Sequence, residues 1–209
     1  MKFLKPIENI YHLLVETKNH FYNLQVLRTL KLPVPVLSIG NLSFGGTGKT
    51  PCVIFLAEEL SKTYKINIVT KSYKASLKEP QKVDLKLEKA AAQFGDEACL
   101  IQSKLEQCHV WSGPHKSMTA AMSLSSQPEL IILDDGFSHR KLSRNFDLVL
   151  IDATVGFDIY LRESISNLKR ASAILITKTN LANAAKLAEI KDTVQSRAPQ
   201  LLQSFFLAT

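Results

Sequence analysis

Residues 38–51 read Ser-Ile-Gly-Asn-Leu-Ser-Phe-Gly-Gly-Thr-Gly-Lys-Thr-Pro and continue an apolar run that begins at Val34. An apolar strand, a glycine-rich turn and a helix start, in that order, leave few folds open. Glycine lets successive backbone N–H groups turn inward on phosphate oxygens where a side chain would collide. The helix N-terminus behind the turn adds about half a positive charge. In such a loop a lysine reaches the β- and γ-phosphates and a threonine hydroxyl ligates Mg²⁺. Gly45, Gly46, Thr47, Gly48, Lys49 and Thr50 are therefore the expected nucleotide-binding residues, with Thr50 also a metal ligand and Lys49 also catalytic. The P-loop template has glycine where Ser43 stands, so the match departs at its first position and is intact at Gly-Lys-Thr. The competing reading is a glycine-rich turn that happens to precede Lys-Thr.

The remaining pattern fits a sheet behind that loop. Apolar runs at 34–39, 66–70, 130–133, 148–151 and 173–177 are short, rich in Ile, Val and Leu, and do not alternate. Such runs suit parallel strands buried on both faces. Helical patterns at 51–61, 96–105, 116–123 and 181–197 separate them. The expectation is an α/β P-loop NTPase fold, a mostly parallel sheet flanked by helices, with ligands at the carboxyl ends of the strands. Residues 32–209 form this core, and the lysine-rich stretch 71–94 reads as a surface excursion. Residues 1–31 stand apart as an amphipathic helical segment. Phe3, Leu4, Ile7, Ile10, Tyr11 and Leu14 recur at helical spacing, and Phe21, Leu24, Val26 and Leu27 extend the pattern. Five Lys or Arg against two Glu leave this segment at +3. Six buried apolar side chains at about 1.5–3 kcal/mol each outweigh three charges at about 1 kcal/mol each on an anionic surface. The apolar face thus decides where the helix goes, and a membrane interface or a protein core would each satisfy it.

No stretch approaches the roughly 18 apolar residues of a membrane span, and the opening residues lack a signal-peptide core. Cys52, Cys99 and Cys108 are an odd count without metal-site spacing, which reads as reduced thiols in a cytosolic protein. The net charge of +7 favours anionic partners without choosing among them. No basic stretch interleaved with aromatics marks a nucleic-acid module, so no nucleic-acid partner is expected.

Three further clusters carry chemistry. Leu130-Ile-Ile-Leu-Asp134-Asp135-Gly136-Phe137 is an apolar strand ending in acids, where a P-loop enzyme holds Mg²⁺. In Gly95-Asp96-Glu97 the acids either stabilise a helix N-terminus or supply a base that takes a hydroxyl proton. Positive and aromatic groups follow the strand ends: Lys71 to Lys74 including Tyr73, then His139, Arg140, Lys141 and Arg144, then Arg162 with Glu163.

These residues together resemble the tetraacyldisaccharide 4′-kinase family of lipid A synthesis. The resemblance runs through 34–51, Gly95-Asp96-Glu97, the 134–142 run Asp-Asp-Gly-Phe-Ser-His-Arg-Lys-Leu, Leu161-Arg162-Glu163 and Leu168-Lys169-Arg170-Ala171, in order over nearly the whole chain. It implies ATP- and Mg²⁺-dependent phosphorylation of the 4′-hydroxyl of a tetraacyldisaccharide 1-phosphate. The setting would be the cytoplasmic face of the bacterial inner membrane, with the chain peripheral and its N-terminal helix touching the membrane surface. Carried over by motif, Asp96 is the catalytic aspartate, and Thr50, Asp134, Asp135 and Glu163 belong to the metal site. Tyr73, His139, Arg140 and Arg162 would meet the lipid A precursor. Four departures accompany the match. Family members are longer and carry a C-terminal histidine paired with the catalytic aspartate. Arg-Gly-Tyr-Gly is here Lys71-Ser72-Tyr73-Lys74, and a lysine lacks the bidentate arginine fork. Lys116 stands for an expected arginine, and 152–161 lacks a Pro-Ala-Gly-Pro turn. The rival reading is a weakly catalytic or inactive nucleotide-binding scaffold or regulator of the same descent.

Overall fold

The computed structural model describes residues 5–73, 75–201 and 205–208, without the side chains of residues 5–10, 12 and 205. Lys2, Phe3, Leu4 and Lys74 of the sequence reading lie outside the described residues, as do the side chains of Ile7 and Ile10. The elements are α1 (Lys5–Asn23), β1 (Val36–Asn41), α2 (Lys49–Leu60), β2 (Ile66–Lys71), β3 (Gln81–Lys82), α3 (Ala90–Phe94), α4 (Asp96–Lys104) and β4 (His109–Gly113). They continue with α5 (Lys116–Ser123), β5 (Leu130–Asp134), β6 (Phe146–Asp152), β7 (Ala173–Thr177), α6 (Ala184–Arg197) and β8 (Phe205–Leu207). One sheet runs β3-β4-β2-β5-β1-β6-β7-β8, with every pairing parallel except β3 against β4.

Burial on both faces explains why the central strands read as unbroken apolar runs. Successive strand residues enter opposite cores, as the pleat requires. Ile132 of β5, Ile68 of β2 and Leu150 of β6 pack with Val53 and Ala57 of α2 and Ala98 and Ile101 of α4. Their neighbours Leu133 and Val69 pack with Ala120 of α5 on the other face. Further along that face Val149, Ile174 and Ile176 meet Ile190 and Val194 of α6. At the centre, Gly40 of β1 permits a close approach, because a Cβ there would lie 2.6 Å from Phe137 Cβ and 2.7 Å from its backbone N. The chain leaves β1 for β2, returns through β5 between them, and then crosses β1 to β6. The carboxyl ends of β5, β1 and β6 consequently form the crevice in which doubly wound sheets place ligands.

Two expectations change in detail. The 71–94 stretch is not merely a surface excursion, since it contains β3 and α3 and buries Val83 and Phe94 in the core beside α4. The sixth helix starts at Ala184 rather than 181, because the Asn183 side chain accepts the Lys186 N–H at 2.8 Å and caps it there. At the other end of the chain, α1 stops at Asn23, and Leu24, Val26 and Leu27 beyond it are exposed.

Candidate functional site

The glycine loop joins the end of β1 to α2. Gly45 (φ +112°) and Gly48 (φ +83°) take left-handed conformations that side chains resist. Asn41 holds the loop from beneath: its amide donates to Thr47 Oγ1 at 3.0 Å and to Ser43 Oγ at 3.3 Å. Ser43, where the template has glycine, therefore supplies an acceptor that braces the loop. Thr47 turns its hydroxyl inward to Asn41, so its N–H is what it can offer a ligand. Among the described residues no N–H of Gly45 to Gly48 has a backbone acceptor. A run of unsatisfied donors at a helix N-terminus fits an anion, and a triphosphate suits it.

Lys49 Nζ lies 3.7 Å from Asp135 Oδ1, and the Thr50 hydroxyl donates to Glu97 Oε1 at 2.5 Å. Asp134, at the end of β5, is buried. Its Oδ2 accepts from Thr70 Oγ1 at 2.9 Å, while Oδ1 has no hydrogen-bond partner among the described residues. Burial, reinforced by the charge of Glu97, pushes the Asp134 carboxyl up to about 6. Asp135 behaves oppositely. Burial would raise it, but hydrogen bonds from Arg162 and the charges of Lys116, Arg162 and Lys49 hold it well below the usual carboxylate range. Arg162 grips it with both arms, at 2.7 and 3.0 Å, and also donates to Ser43 O at 3.1 Å and to the Asn41 side chain. Lys116 is buried at the start of α5, with Nζ donating to the Asp135 carbonyl at 2.5 Å. Its pKa is lowered by burial, against the pull of Asp135 and Asp134.

The orphaned Asp134 oxygen, the Thr50 hydroxyl and Glu97 form an all-oxygen donor set that fits Mg²⁺. Among the described residues no three carboxylate, imidazole or thiolate groups converge on one point. A cation here would then rely on one or two carboxylates, the hydroxyl and phosphate oxygens, which is the usual manner of Mg²⁺. Asp96, exposed, opens α4 one residue before Glu97. Tyr73 is 70% exposed, and its carbonyl would lie 3.5 Å from a Cβ on Gly95, so the turn after β2 abuts the start of α4. Glu163, which the resemblance grouped with the metal site, is buried, pairs with Arg170 and accepts from the Asn19 amide at 3.4 Å, which ties α1 to this turn.

Next to Asp135 opens a cavity of about 560 Å³ whose described lining includes the cations Lys18, Lys71, Lys116, Arg140 and Lys141, with Asp135 the one carboxylate among the described residues. Ser138 Oγ and His139 Nε2 reach the same wall, buried and without hydrogen-bond partners among the described residues. Burial and then the nearby cations, Lys116 first, push the His139 imidazole down to about 4. Arg140 sits over the Tyr22 ring at 5.2 Å and donates to the Asn19 carbonyl at 2.7 Å, so α1 forms one side of the cavity. The structure thus gathers Lys49, Thr50, Asp134, Asp135 and Arg162 at the strand ends and sets His139 and Arg140 in the adjoining cavity. Sequence reasoning missed Glu97 as the acid that meets Thr50. The available signal was the pair of acids itself, which does not say which member faces the loop.

Residues 1–205 match the sequence model of the tetraacyldisaccharide-1-P 4′-kinase family. The chain is 38% identical over 189 residues to a tetraacyldisaccharide 4′-kinase of Bdellovibrio bacteriovorus, covering 86% of this chain and 56% of the relative. It is 34% identical over 203 residues to one from Halothermothrix orenii, covering 91% and 53%. The solved structure of LpxK from Aquifex aeolicus in complex with ATP superposes with a TM-score of 0.78 at 33% identity, covering 86% of this chain and 59% of that one. The chain spans about half the length of the curated relatives it matches.

Proposed function

The chain belongs to the tetraacyldisaccharide-1-P 4′-kinase family, and on that premise we propose that it transfers the γ-phosphoryl group of Mg·ATP to the 4′-hydroxyl of a tetraacyldisaccharide 1-phosphate. The observation that carries this reading is the basic cavity opening on Asp135 beside Lys49. Five cations around a site next to the phosphate loop suit an acceptor that is itself phosphorylated. Lys49 and the loop N–H groups hold the triphosphate. Thr50, Glu97 and Asp134 would hold Mg²⁺, which would supply positive charge to offset that of the transferring phosphoryl group. Arg162 keeps Asp135 ionised and fixed against Lys49. Asp96 takes the proton of the acceptor hydroxyl as its oxygen bonds to the γ-phosphorus and the bond to the β,γ-bridging oxygen breaks, releasing ADP.

The acceptor's acyl chains require a lipid surface, and α1 supports one. Leu13 and Leu14 are 67% and 65% exposed, and Leu24, Val26 and Leu27 are exposed near Lys18, Arg28 and Lys31. Among the described residues no helix is long and apolar enough to cross a membrane. We therefore propose peripheral attachment at the inner membrane's cytoplasmic face, where ATP is available. Incubation with Mg·ATP and the disaccharide 1-phosphate in detergent micelles tests the reaction. Asp96→Asn should retain ATP binding and lose transfer by about 10²–10⁴. Equal transfer by wild type and variant would remove Asp96 from the role of base. ATP binding without any product would leave a nucleotide-binding scaffold instead.

A further inference from the structure

Helix α1 has two faces of different character. At 3.6 residues per turn Tyr11, Asn19 and Tyr22 fall within about 80° of one another. Leu13, Leu14 and Phe21 lie on the other side and are exposed. The first face is docked. Asn19 and Tyr22 are buried, the Asn19 amide donates to Glu163 at 3.4 Å, and Glu16 nearby accepts from the Asn167 side chain at 2.7 Å. These contacts seat the helix along residues 163–167. One further contact of the same face, made by Tyr11, reaches the glycine loop itself.

Phe44 stands immediately before the loop glycines, and phosphate binding gives no reason for a ring there. Its ring meets Tyr11 at 6.5 Å and Tyr160 at 5.5 Å between centroids, both tilted, within the range in which aromatic pairs attract. The Arg162 guanidinium lies over it, 5.6 Å from the centroid. Backbone bonds fix the same place. The Phe44 N–H donates to the Tyr160 carbonyl at 3.1 Å, the Arg162 N–H donates to the Leu42 carbonyl at 2.6 Å, and Ser43 bridges antiparallel to Leu161. Residues 160–162 are thus zipped to residues 42–44, and α1 closes over that zipper at Phe44. Arg162, standing against this ring, also grips Asp135, which lies beside Lys49. The glycines that follow have no side chains to hold them, and ordering glycine costs more backbone freedom than ordering any other residue. A ring anchored at position 44 supplies part of that order before a ligand arrives, and preorganisation of this kind appears as affinity. Each ring pair is worth a factor of about 2–12 in an equilibrium.

We propose that Phe44 is a positioning residue through which Tyr11 of α1 braces the phosphate loop and Arg162, so that the docking of α1 sets the affinity for the triphosphate. This rests on the kinase reading only in taking a nucleoside triphosphate to occupy the loop. Titration calorimetry with ATP and with inorganic tripolyphosphate, each with Mg²⁺, tests it on the full chain. The variants are Tyr11→Ala, Phe44→Ala, the two combined, and Tyr11→Phe, with ligand-free thermal melts alongside. Tyr11→Ala should weaken both ligands about fivefold and Phe44→Ala, which loses more contacts, about tenfold. The double variant should bind within twofold of Phe44→Ala, because both substitutions remove one shared contact. Tyr11→Phe keeps the ring and should bind within twofold of wild type. Both rings are partly exposed, so Tm should stay within 3 °C throughout, which a merely structural loss would not allow. Phe44→Ala binding both ligands within twofold of wild type would overturn the proposal, and its half-exposed loop position lets it decide even where Tyr11→Ala fails to fold. Losses that multiply in the double variant would overturn it as well, as would Tyr11→Phe binding as weakly as Tyr11→Ala. A wild type that binds neither ligand would overturn both this and the kinase reading. Coupled losses in a chain that phosphorylates no lipid would support the brace and sink only the kinase reading.

Discussion

Asp134→Asn should stabilise the ligand-free protein at neutral pH while weakening its response to Mg·ATP. The Asp134 carboxyl is buried, one oxygen accepts from Thr70, the other has no hydrogen-bond partner among the described residues, and Glu97 adds a like charge. Its pKa rises from 3.8 to about 6. A raised pKa means that the folded chain holds this proton more tightly than the unfolded one. The stabilisation is complete below pH 3.8 and is lost as pH rises through about 6, after which the fold carries a buried charge that Lys116 and the Thr70 hydrogen bond only partly offset. A shift of about 2 units at 1.36 kcal/mol each is about 3 kcal/mol. Asparagine keeps an acceptor for Thr70 and removes the charge. In a domain of this size about 3 kcal/mol raises Tm by roughly 6–12 °C. Thermal melts of both proteins in EDTA, from pH 4.5 to 8, measure the difference directly. It should be large at pH 8 and shrink toward pH 4.5. Adding Mg·ATP at pH 7.5 should then raise the wild-type Tm more than the variant's if, as proposed, the Asp134 carboxylate serves as a ligand of the cation. A variant less stable than wild type in EDTA at pH 7.5, or a difference that does not change with pH, would refute the reasoning.

Two other perturbations follow from packing and from surface character. Gly40→Ala places a Cβ within 2.6 Å of Phe137 Cβ and 2.7 Å of its backbone N, neither of which can swing aside. Overpacking of this kind should destabilise by about 1–3 kcal/mol, read as a Tm fall of several degrees with the helical circular-dichroism signal retained. Leu13→Asp with Leu14→Asp removes two exposed leucines from α1, each worth about 1.5–3 kcal/mol if buried in an interface. Binding to vesicles containing anionic lipid should fall at least 30-fold in a sedimentation assay, with Tm within 2 °C of wild type; unchanged vesicle binding would place the lipid contact elsewhere.

The parts legible in the sequence are those with one physical cause. Strands β1, β2, β5, β6 and β7 are buried on both faces, and their apolar runs announce it. Strand β4 escaped notice because His109-Val110-Trp111-Ser112-Gly113 pairs near the edge and mixes polar with apolar residues. Strands β3 and β8, with two and three residues, carry too little pattern to read. The loop and the Asp134–Asp135 pair were legible as positions, a glycine-rich turn after β1 and acids at the end of β5, and the fold brings them together. Which way each acid faces was not. Asp96 and Glu97 are neighbours on one helical turn, and only the docking of α4 against α2 brings Glu97 to Thr50. The resemblance alone suggested Glu163 for the metal site, and its pairing with Arg170 and the distant Asn19 had no sequence signal.

The central claim is that the γ-phosphoryl group of ATP moves to a lipid hydroxyl beside Asp135. Phosphorus NMR of the chain incubated with Mg·ATP and a tetraacyldisaccharide 1-phosphate in micelles tests it most directly. The account predicts a second phosphomonoester resonance on the lipid, growing in step with ADP and absent with Lys49→Ala. Bound ATP with no new lipid resonance, or ADP accompanied only by inorganic phosphate, would contradict it.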